Sequence, residues 1–268
     1  MPNSGNGRDG AAGDGAGGER AHWVRWHRAY EDPDSALSMR LRLVQDGVRE
    51  VLDHHPPGPI RVVSICAGQG RDVIDVVADH PRRADVRARL VELDPGLVAF
   101  ARARAAAAGV GDVVEVVEGD ASLVGSYAGV LPADLVVICG VFGNISDDDI
   151  RAVARRMPAF CAPGGTVVWT RHRRPPDLTP SVRGWFAEAG FVERSFVAPS
   201  PYILGVGCHQ WVGGAGVGGA GVGGARVDGA GFGGAGVGGA RVGGADAAGT
   251  LDPDLRLFHF IGDGSLPA

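Results

Sequence analysis

The sequence predicts an α/β protein, a doubly wound, mostly parallel sheet with helices on both faces that ends in an antiparallel hairpin. Three observations predict it. From Ile60 onward, short apolar strand-like runs alternate with helical segments, the pattern of a parallel sheet built from crossover units. The first run leads directly into a Gly-containing turn, Cys66–Gly70, and then into a helix. The last two runs, Phe191–Ala198 and Tyr202–Trp211, are joined only by Pro199-Ser200-Pro201, too short a connection for a parallel crossover.

Taken in order, residues 1–20 are mostly Gly, Ala, Asp and Asn and read as a disordered tail with little to bury. The composition then shifts abruptly to His22, Trp23, Trp26, His27 and Tyr30. Asp32-Pro33 reads as a helix start, with Asp as N-cap and Pro at the first helical position. Leu37, Leu41, Val44, Val48 and Leu52 recur at helical spacing through Asp53, and Pro56-Pro57-Gly58-Pro59 stops the helix. Residues 21–58 are thus expected to form an N-terminal helical segment. Within 59–212, strands are expected at Ile60–Ile65, Val86–Glu92, Val113–Glu118, Asp134–Cys139 and Gly165–Arg171. Helices are expected at Arg71–Asp79, Pro95–Ala108, Asp147–Met157 and Ser181–Ala189. Three acids open the Asp147 helix, where they favour its dipole.

Gly213–Ala247 consists of seven five-residue units of the GGAGV type and holds 17 of the 45 glycines. The Gly excess is therefore local. An insertion grown by slippage in GC-rich coding sequence is the main reading of residues 213–250. A solenoid or self-association surface, with one Val or Phe every fifth residue, is the alternative. In the final piece, 251–268, Leu255–Ile261 reads as a strand returning to the sheet, which makes the repeat a loop on a complete domain.

Composition excludes several classes. A net charge of −5 argues against nucleic acid as a partner. No apolar run reaches the roughly 18 residues of a spanning helix, so no membrane partner is expected. Met1–Arg20 lacks the apolar core of a secretory signal. Cys66, Cys139, Cys161 and Cys208 form neither a CxxC pair nor a Cys/His ligand spacing, so no metal site is expected. Reduced thiols and a cytoplasmic location follow as the default. Nothing in the pattern specifies an oligomeric state.

Chemistry is expected at the carboxyl ends of the strands, where doubly wound sheets bind ligands. Gly68 and Gly70 let a ligand approach the backbone of the first turn. A dinucleotide fingerprint wants a third small residue at position 73, which is Val73. Glu92, at the end of the second strand, can accept from both hydroxyls of a ribose. A helix N-cap is the structural alternative there, and Asp94 suits it better. Asp120, after the third strand, can accept from an adenine amino group or simply shape a turn. After the fourth strand, Cys139-Gly140-Val141-Phe142-Gly143-Asn144 forms a loop whose single Asn offers a donor and an acceptor, to a ligand or to its own turn.

Ser64–Asp72, Glu92, Gly119-Asp120 and the closing hairpin together resemble the class I S-adenosylmethionine (SAM)-dependent methyltransferases, over about Ile60–Trp211. The resemblance implies a Rossmann-like fold with SAM as methyl donor and a small-molecule acceptor. It places Ala67, Gly68 and Gly70 under the methionine part, Glu92 at the ribose and Leu93 beside the adenine. Asp120 and Ala121 would flank the adenine edge, and Cys139 and Gly140 would open toward the methyl group. The family usually carries an acid where Ser64 stands, and Asp72 is the neighbour able to compensate. N-terminal helices often form a lid in this family, so His27 and Tyr30 join Asn144 as catalytic candidates, with His172 a further possible base. A NAD(P)-dependent oxidoreductase and a catalytically inactive SAM-fold scaffold are the alternatives.

Overall fold

The computed structural model describes residues 28–213 and 251–261. The expectations for the tail, for Trp23, Trp26 and His27, and for nearly all of the pentapeptide repeat lie outside the described residues. Within them, the strands are β1 (Ile60–Ile65), β2 (Val86–Glu92), β3 (Val114–Glu118), β4 (Ala133–Ile138), β5 (Cys161–His172), β6 (Phe191–Val197) and β7 (Leu204–Trp211). The helices are α1 (Ala36–His54), α2 (Arg71–Asp79), α3 (Pro95–Ala107), α4 (Asp147–Phe160) and α5 (Thr179–Glu188).

The strands form one sheet in the order β3-β2-β1-β4-β5-β7-β6. β1 through β5 pair in parallel, and β7 runs antiparallel between β5 and β6. The order reverses between β1 and β4. Crossovers to either side of this point splay their turns apart and leave a crevice at the carboxyl ends.

Alternation of side chains explains why the strands read as nearly continuous apolar runs. Val62, Leu135 and Val137 face a core formed with Val44, Val48 and Leu52 of α1, Ile74 and Val77 of α2, and Ala101 of α3. Val63, Ile65, Val136 and Ile138 face the opposite core, with Ile150, Met157 and Phe160 of α4 and Phe186 of α5. Both faces of the sheet are covered, as a parallel sheet requires. Trp169 of β5 is fully buried against Phe186 at 6.2 Å between ring centroids. A Cβ on Gly207 of β7 would lie 2.5 Å from this indole, so the side-chain-free position is what lets the antiparallel strand close over it.

Several boundaries shift by one or two residues from expectation, as at Thr179 for Ser181 in α5 and Leu204 for Tyr202 in β7, and four departures are larger or change the role of a residue or segment. Ser35, not Asp32, caps α1: its Oγ accepts from the Ser38 amide at 3.0 Å, while Asp32 turns the preceding chain by accepting from the Asp34 amide. Helix α4 continues past Met157 to Phe160 with Pro158 inside it. A proline so near the end removes only one bond of the last turn. β5 begins at Cys161 rather than Gly165, with a shift of register opposite Ala133 and Leu135. Leu255–Ile261 is not a strand of the sheet. It makes isolated bridges, Leu123 to Arg256 and Ile145 to Phe260, and lies as a strap across the loops after β3 and β4. Its amides and carbonyls bond those loops, as in Val124 N–H to Leu255 O at 3.0 Å and Leu257 N–H to Ser122 O at 2.7 Å, and Leu257 and Phe258 are buried beneath it. With β6 already completing the far edge, the segment pairs with loop backbone near where it re-enters the domain.

Candidate active site

The crevice is framed by the turns that follow β1, β2, β3 and β4. In the first, Cys66, Gly68 and Gly70 take φ of +56°, +57° and +67°. Cys66 adopts this left-handed conformation with a side chain, at a cost of roughly 1–2 kcal/mol. Gly70 could not carry one: a Cβ there would lie 2.6 Å from Ile74 Cδ1 and 2.9 Å from Leu90 Cδ2. The turn is thus pressed onto the sheet, with the N-terminus of α2 opening into the crevice. The Cys66 thiol is pushed well above its usual range by burial and by the nearby Glu92 and Asp120 carboxylates, so it is held protonated.

Glu92 joins the first two turns. Its Oε2 accepts from the Gly68 amide at 2.8 Å, and its Oε1 accepts from the Leu93 and Asp94 amides at 2.9 and 3.0 Å. Asp94, as expected, is the N-cap of α3, accepting from the Leu97 amide at 2.9 Å. Ala67 packs beneath the turn, its N–H donating to Val91 O, and Leu93 projects from the rim with 66% of its surface exposed.

Asp120 is more heavily engaged than expected. Its Oδ1 accepts from the Ser122 amide and hydroxyl at 2.9 and 2.6 Å, and its Oδ2 accepts from Arg256 Nη1 at 2.8 Å. Burial opposes the charged form, but the Ser122 and Arg256 contacts outweigh it and hold the carboxyl below its ordinary value. Ala121 beside it is buried, and its carbonyl accepts from Tyr127 Oη.

After β4, Gly140 takes φ +78° and its N–H donates to Thr170 Oγ1 at 3.0 Å. Asn144 stabilises the loop: its Nδ2 donates to Gly140 O at 2.6 Å, and its own carbonyl accepts from the Ile261 amide of the strap. Its amide donor is thereby engaged in the turn. Ser146, not Asn144, caps α4. His172, at the end of β5, lies against Gly143, where a Cβ would come within 3.2 Å of the imidazole. Burial, then Arg171 and Arg174, push the His172 pKa down, so the ring is neutral near pH 7. Its Nδ1 accepts from the Arg174 amide at 3.4 Å, which assigns the proton to Nε2.

The N-terminal segment closes the remaining side. Tyr30 lies in a single 3-10 turn, Arg28–Glu31, and its Oη accepts from Arg40 Nη2 at 3.2 Å. The Arg71 guanidinium stacks over the Tyr30 ring at 4.9 Å. Burial raises the Tyr30 hydroxyl further above neutrality, against the opposing pull of Arg40. Asp72, in the first turn of α2, keeps a small part of its surface toward solvent, while its Oδ1 is enclosed and has no hydrogen-bond partner. Burial raises its carboxyl to about 6, against the pull of Arg40. Cys139 sits close enough to Asp72 that burial and this carboxylate push its thiol strongly upward.

These turns match a known family. A family model described as "Putative methyltransferase" fits residues 38–183, more than half of the chain. The chain belongs to this methyltransferase family. The resemblance read from the Gly-rich turn, Glu92, Gly119-Asp120 and the closing hairpin is borne out at that level. Among solved structures, magnesium protoporphyrin IX methyltransferase from Synechocystis PCC 6803 with bound SAM is similar at 14% identity and a TM-score of 0.56. That match covers 75% of this chain and 99% of that one. A possible exported protein from Bordetella parapertussis is similar at 17% identity and a TM-score of 0.51, covering 64% of this chain and 67% of that one. At these identities the likeness is one of fold. No curated protein matches the chain.

The structure gathers Ala67, Gly68, Gly70, Asp72, Glu92, Leu93, Asp120, Ala121, Cys139, Gly140, Asn144 and Tyr30 around the turns that frame one crevice. His27 lies outside the described residues. Two residues at the crevice escaped sequence reasoning. Arg40 carries a readable signal, a charged residue inside the Leu37–Val44–Val48 apolar stripe of α1. Arg256 carries none, because only the path of the strap brings it to Asp120. Among the described residues, no group of three or more His, Cys, Asp or Glu could hold a metal ion, and no helix is long and apolar enough to cross a membrane.

Proposed function

We propose that this protein transfers a methyl group from SAM to a small-molecule acceptor. The observation that carries the reading is the Glu92–Gly68 bridge between the turns after β2 and β1, in a chain of the methyltransferase family. The residues present fit the cofactor. Glu92 Oε2 accepts one protein hydrogen bond and keeps capacity for a ribose hydroxyl. Leu93 offers an exposed apolar surface for the adenine face. Ala121 and the remaining lone pair of Asp120 Oδ2 would border the adenine edge. The enclosed, unpartnered Oδ1 of Asp72 is an acceptor awaiting a donor. Val73 is fully buried where a dinucleotide fold needs a small residue for close helix–sheet packing, which counts against the oxidoreductase alternative.

When bound, SAM supplies a methyl group on a positively charged sulfur, already activated for direct transfer. The protein's part is then to align the acceptor and exclude water. Tyr30, protonated and roofed by Arg71, walls the crevice and presents an O–H donor. His172 presents Nε2–H toward the loop after β4 and is likewise a donor in this tautomer. Asn144 keeps the loop in shape through Gly140 and leaves its Oδ1 as its contribution to a ligand. An acceptor that arrives deprotonated, or a nitrogen with a free lone pair, suits such a site best.

Isothermal titration tests the reading. The full chain is expected to bind SAM and S-adenosylhomocysteine (SAH) with micromolar affinity and not to bind NAD(H). Binding of NAD(H) alone would replace the reading with the oxidoreductase. Binding of neither class by folded protein would leave a non-catalytic module.

A further inference from the structure

The crossovers β1–β2, β2–β3 and β4–β5 carry α2, α3 and α4, but the crossover between β3 and β4 carries only a 3-10 turn, Val124–Tyr127. A parallel sheet needs cover on both faces. The strap supplies the cover that this crossover lacks. Leu257 and Phe258 are buried in the core that Val63 and Ile65 of β1 and Val91 of β2 also face, and Leu251 and Leu255 pack against it. The strap lies outside residues 38–183, the part of the chain that fits the methyltransferase family model.

It is fastened to two walls of the crevice. At the β3 wall, Leu257 N–H donates to Ser122 O at 2.7 Å, and Arg256 donates to Asp120 Oδ2 and Ser122 Oγ. The Val124 and Gly125 amides donate in return to the Leu255 and Pro253 carbonyls. A Cβ on Gly125 would lie 2.9 Å from Pro253 O, so the close seating of the strap depends on glycine there. At the β4 wall, Ile261 N–H donates to Asn144 O at 2.9 Å, and Phe260 bridges Ile145. The two bridges are four positions apart on the strap, and four residues of chain reach at most about 13–14 Å. With both bridges made, this short length of chain limits how far apart the walls can stand.

We propose that the strap is a clamp that couples the two walls: it docks and lifts as one unit, and its docking orders the loops after β3 and β4 together. Only the consequence rests on the SAM reading. A nucleoside that settles at Glu92 and Asp120 orders the β3 wall, favours the docked strap and so prepares the acceptor loop at Asn144. The coupling is reciprocal, so an acceptor held at the β4 wall tightens the cofactor by the same factor.

Amide exchange on the full chain tests the clamp without a ligand. Gly125→Ala pushes Pro253 off the β3 wall. It is expected to raise exchange at Asn144 and Ile261, on the other wall, by about tenfold or more, while amides inside β1 and β4 keep their wild-type rates. Ile261→Pro removes the donor to Asn144 and is expected to raise exchange at Val124, Gly125 and Leu257 by a similar factor. The second variant keeps the test decisive if Gly125→Ala disturbs the β3–β4 crossover itself. A rise confined to the substituted end, in either variant with an intact sheet, would show two independent attachments and overturn the proposal. Saturating SAH adds the functional arm. In wild-type protein it is expected to slow Leu257 and Ile261 together, and slowing at one wall alone would overturn the coupling. Wild-type protein that does not bind SAH would overturn the SAM reading, and the two ligand-free comparisons would still decide the clamp.

Discussion

Glu92 accepts a hydrogen bond from the Gly68 amide at 2.8 Å, across 24 residues of sequence, and so ties the turn after β1 to the turn after β2. The same carboxylate accepts from the Leu93 and Asp94 amides. One side chain therefore sets the shape of two walls of the crevice and still has a lone pair for a ligand.

Replacing it removes both services. Hydrogen bonds to a charged acceptor contribute roughly 1.5–3 kcal/mol each. Glu92→Ala is expected to weaken SAH binding by about a hundredfold or more, equivalent to about 2.7 kcal/mol. Calorimetry on the variant checks this, and a loss under about threefold would remove Glu92 from the site.

Asp72 is expected to trade stability for binding. Its carboxyl rests at about 6 in the folded protein, above its ordinary value. Folding is therefore unpenalised below the unfolded value near 4, and stability is lost as pH rises from there through about 6. Asp72→Asn abolishes this ionisation, so the ligand-free variant at pH 7 is expected to be more stable than wild type by about 1–3 kcal/mol. Chemical denaturation at pH 4 and pH 7 measures it. A variant less stable than wild type at pH 7 would contradict the assignment.

His209 predicts the opposite slope. Trp169 Nε1 donates to its Nδ1 at 3.1 Å, and its Nε2 lies 3.4 Å from Glu193, which Arg183 also engages. Burial lowers the imidazole to about 4 despite the Glu193 carboxylate. Above about pH 6.5 the ring is neutral in both states and costs nothing. As pH falls from 6.5 toward 4 the unfolded chain takes up a proton that the folded protein refuses, and up to about 3 kcal/mol of stability is lost. His209→Gln retains an acceptor for Trp169 and is expected to flatten that part of the profile. Parallel curves for wild type and variant over this window would refute the role.

Gly70→Ala is expected to be among the most damaging single changes in the domain. The left-handed backbone disfavours any side chain, and the new methyl would press on Ile74 and Leu90. Together these predict a loss of about 2–4 kcal/mol. Urea denaturation would register it, with Gly109→Ala as a control, because Gly109 is also left-handed (φ +66°) but has open space around it.

Arg256→Met is expected to loosen the strap without unfolding the domain. The Asp120–Arg256 pair is partly exposed on both sides, so its direct contribution is at most about 1 kcal/mol. The measurable consequence is local. Amide exchange at Val124 and Gly125, whose protons are held by Leu255 and Pro253 carbonyls, is expected to accelerate while the sheet amides stay protected. Unchanged exchange at those two amides would show that the backbone bonds hold the strap unaided.

The sequence by itself determined the sheet and the frame of the crevice. Apolar runs buried on both faces, helices between them and a Gly-rich turn after the first strand depend on local pattern. A connection of three residues permits only an antiparallel ending. Tertiary structure decided how the polar groups are matched. Arg256 meets Asp120 across 136 positions of sequence, through a segment whose own pattern suggested a sheet strand. Asp120, read as an acceptor for adenine or as a turn residue, is engaged in its own turn by Ser122 and also by that arginine. Asn144, read as a candidate for catalysis, has its amide donor held by Gly140. Asp72, in the first turn of α2, has an enclosed oxygen without a hydrogen-bond partner, which its sequence position does not reveal. Periodicity records which side of an element is buried. Which charge meets which is set by where distant turns converge, and no local pattern encodes that.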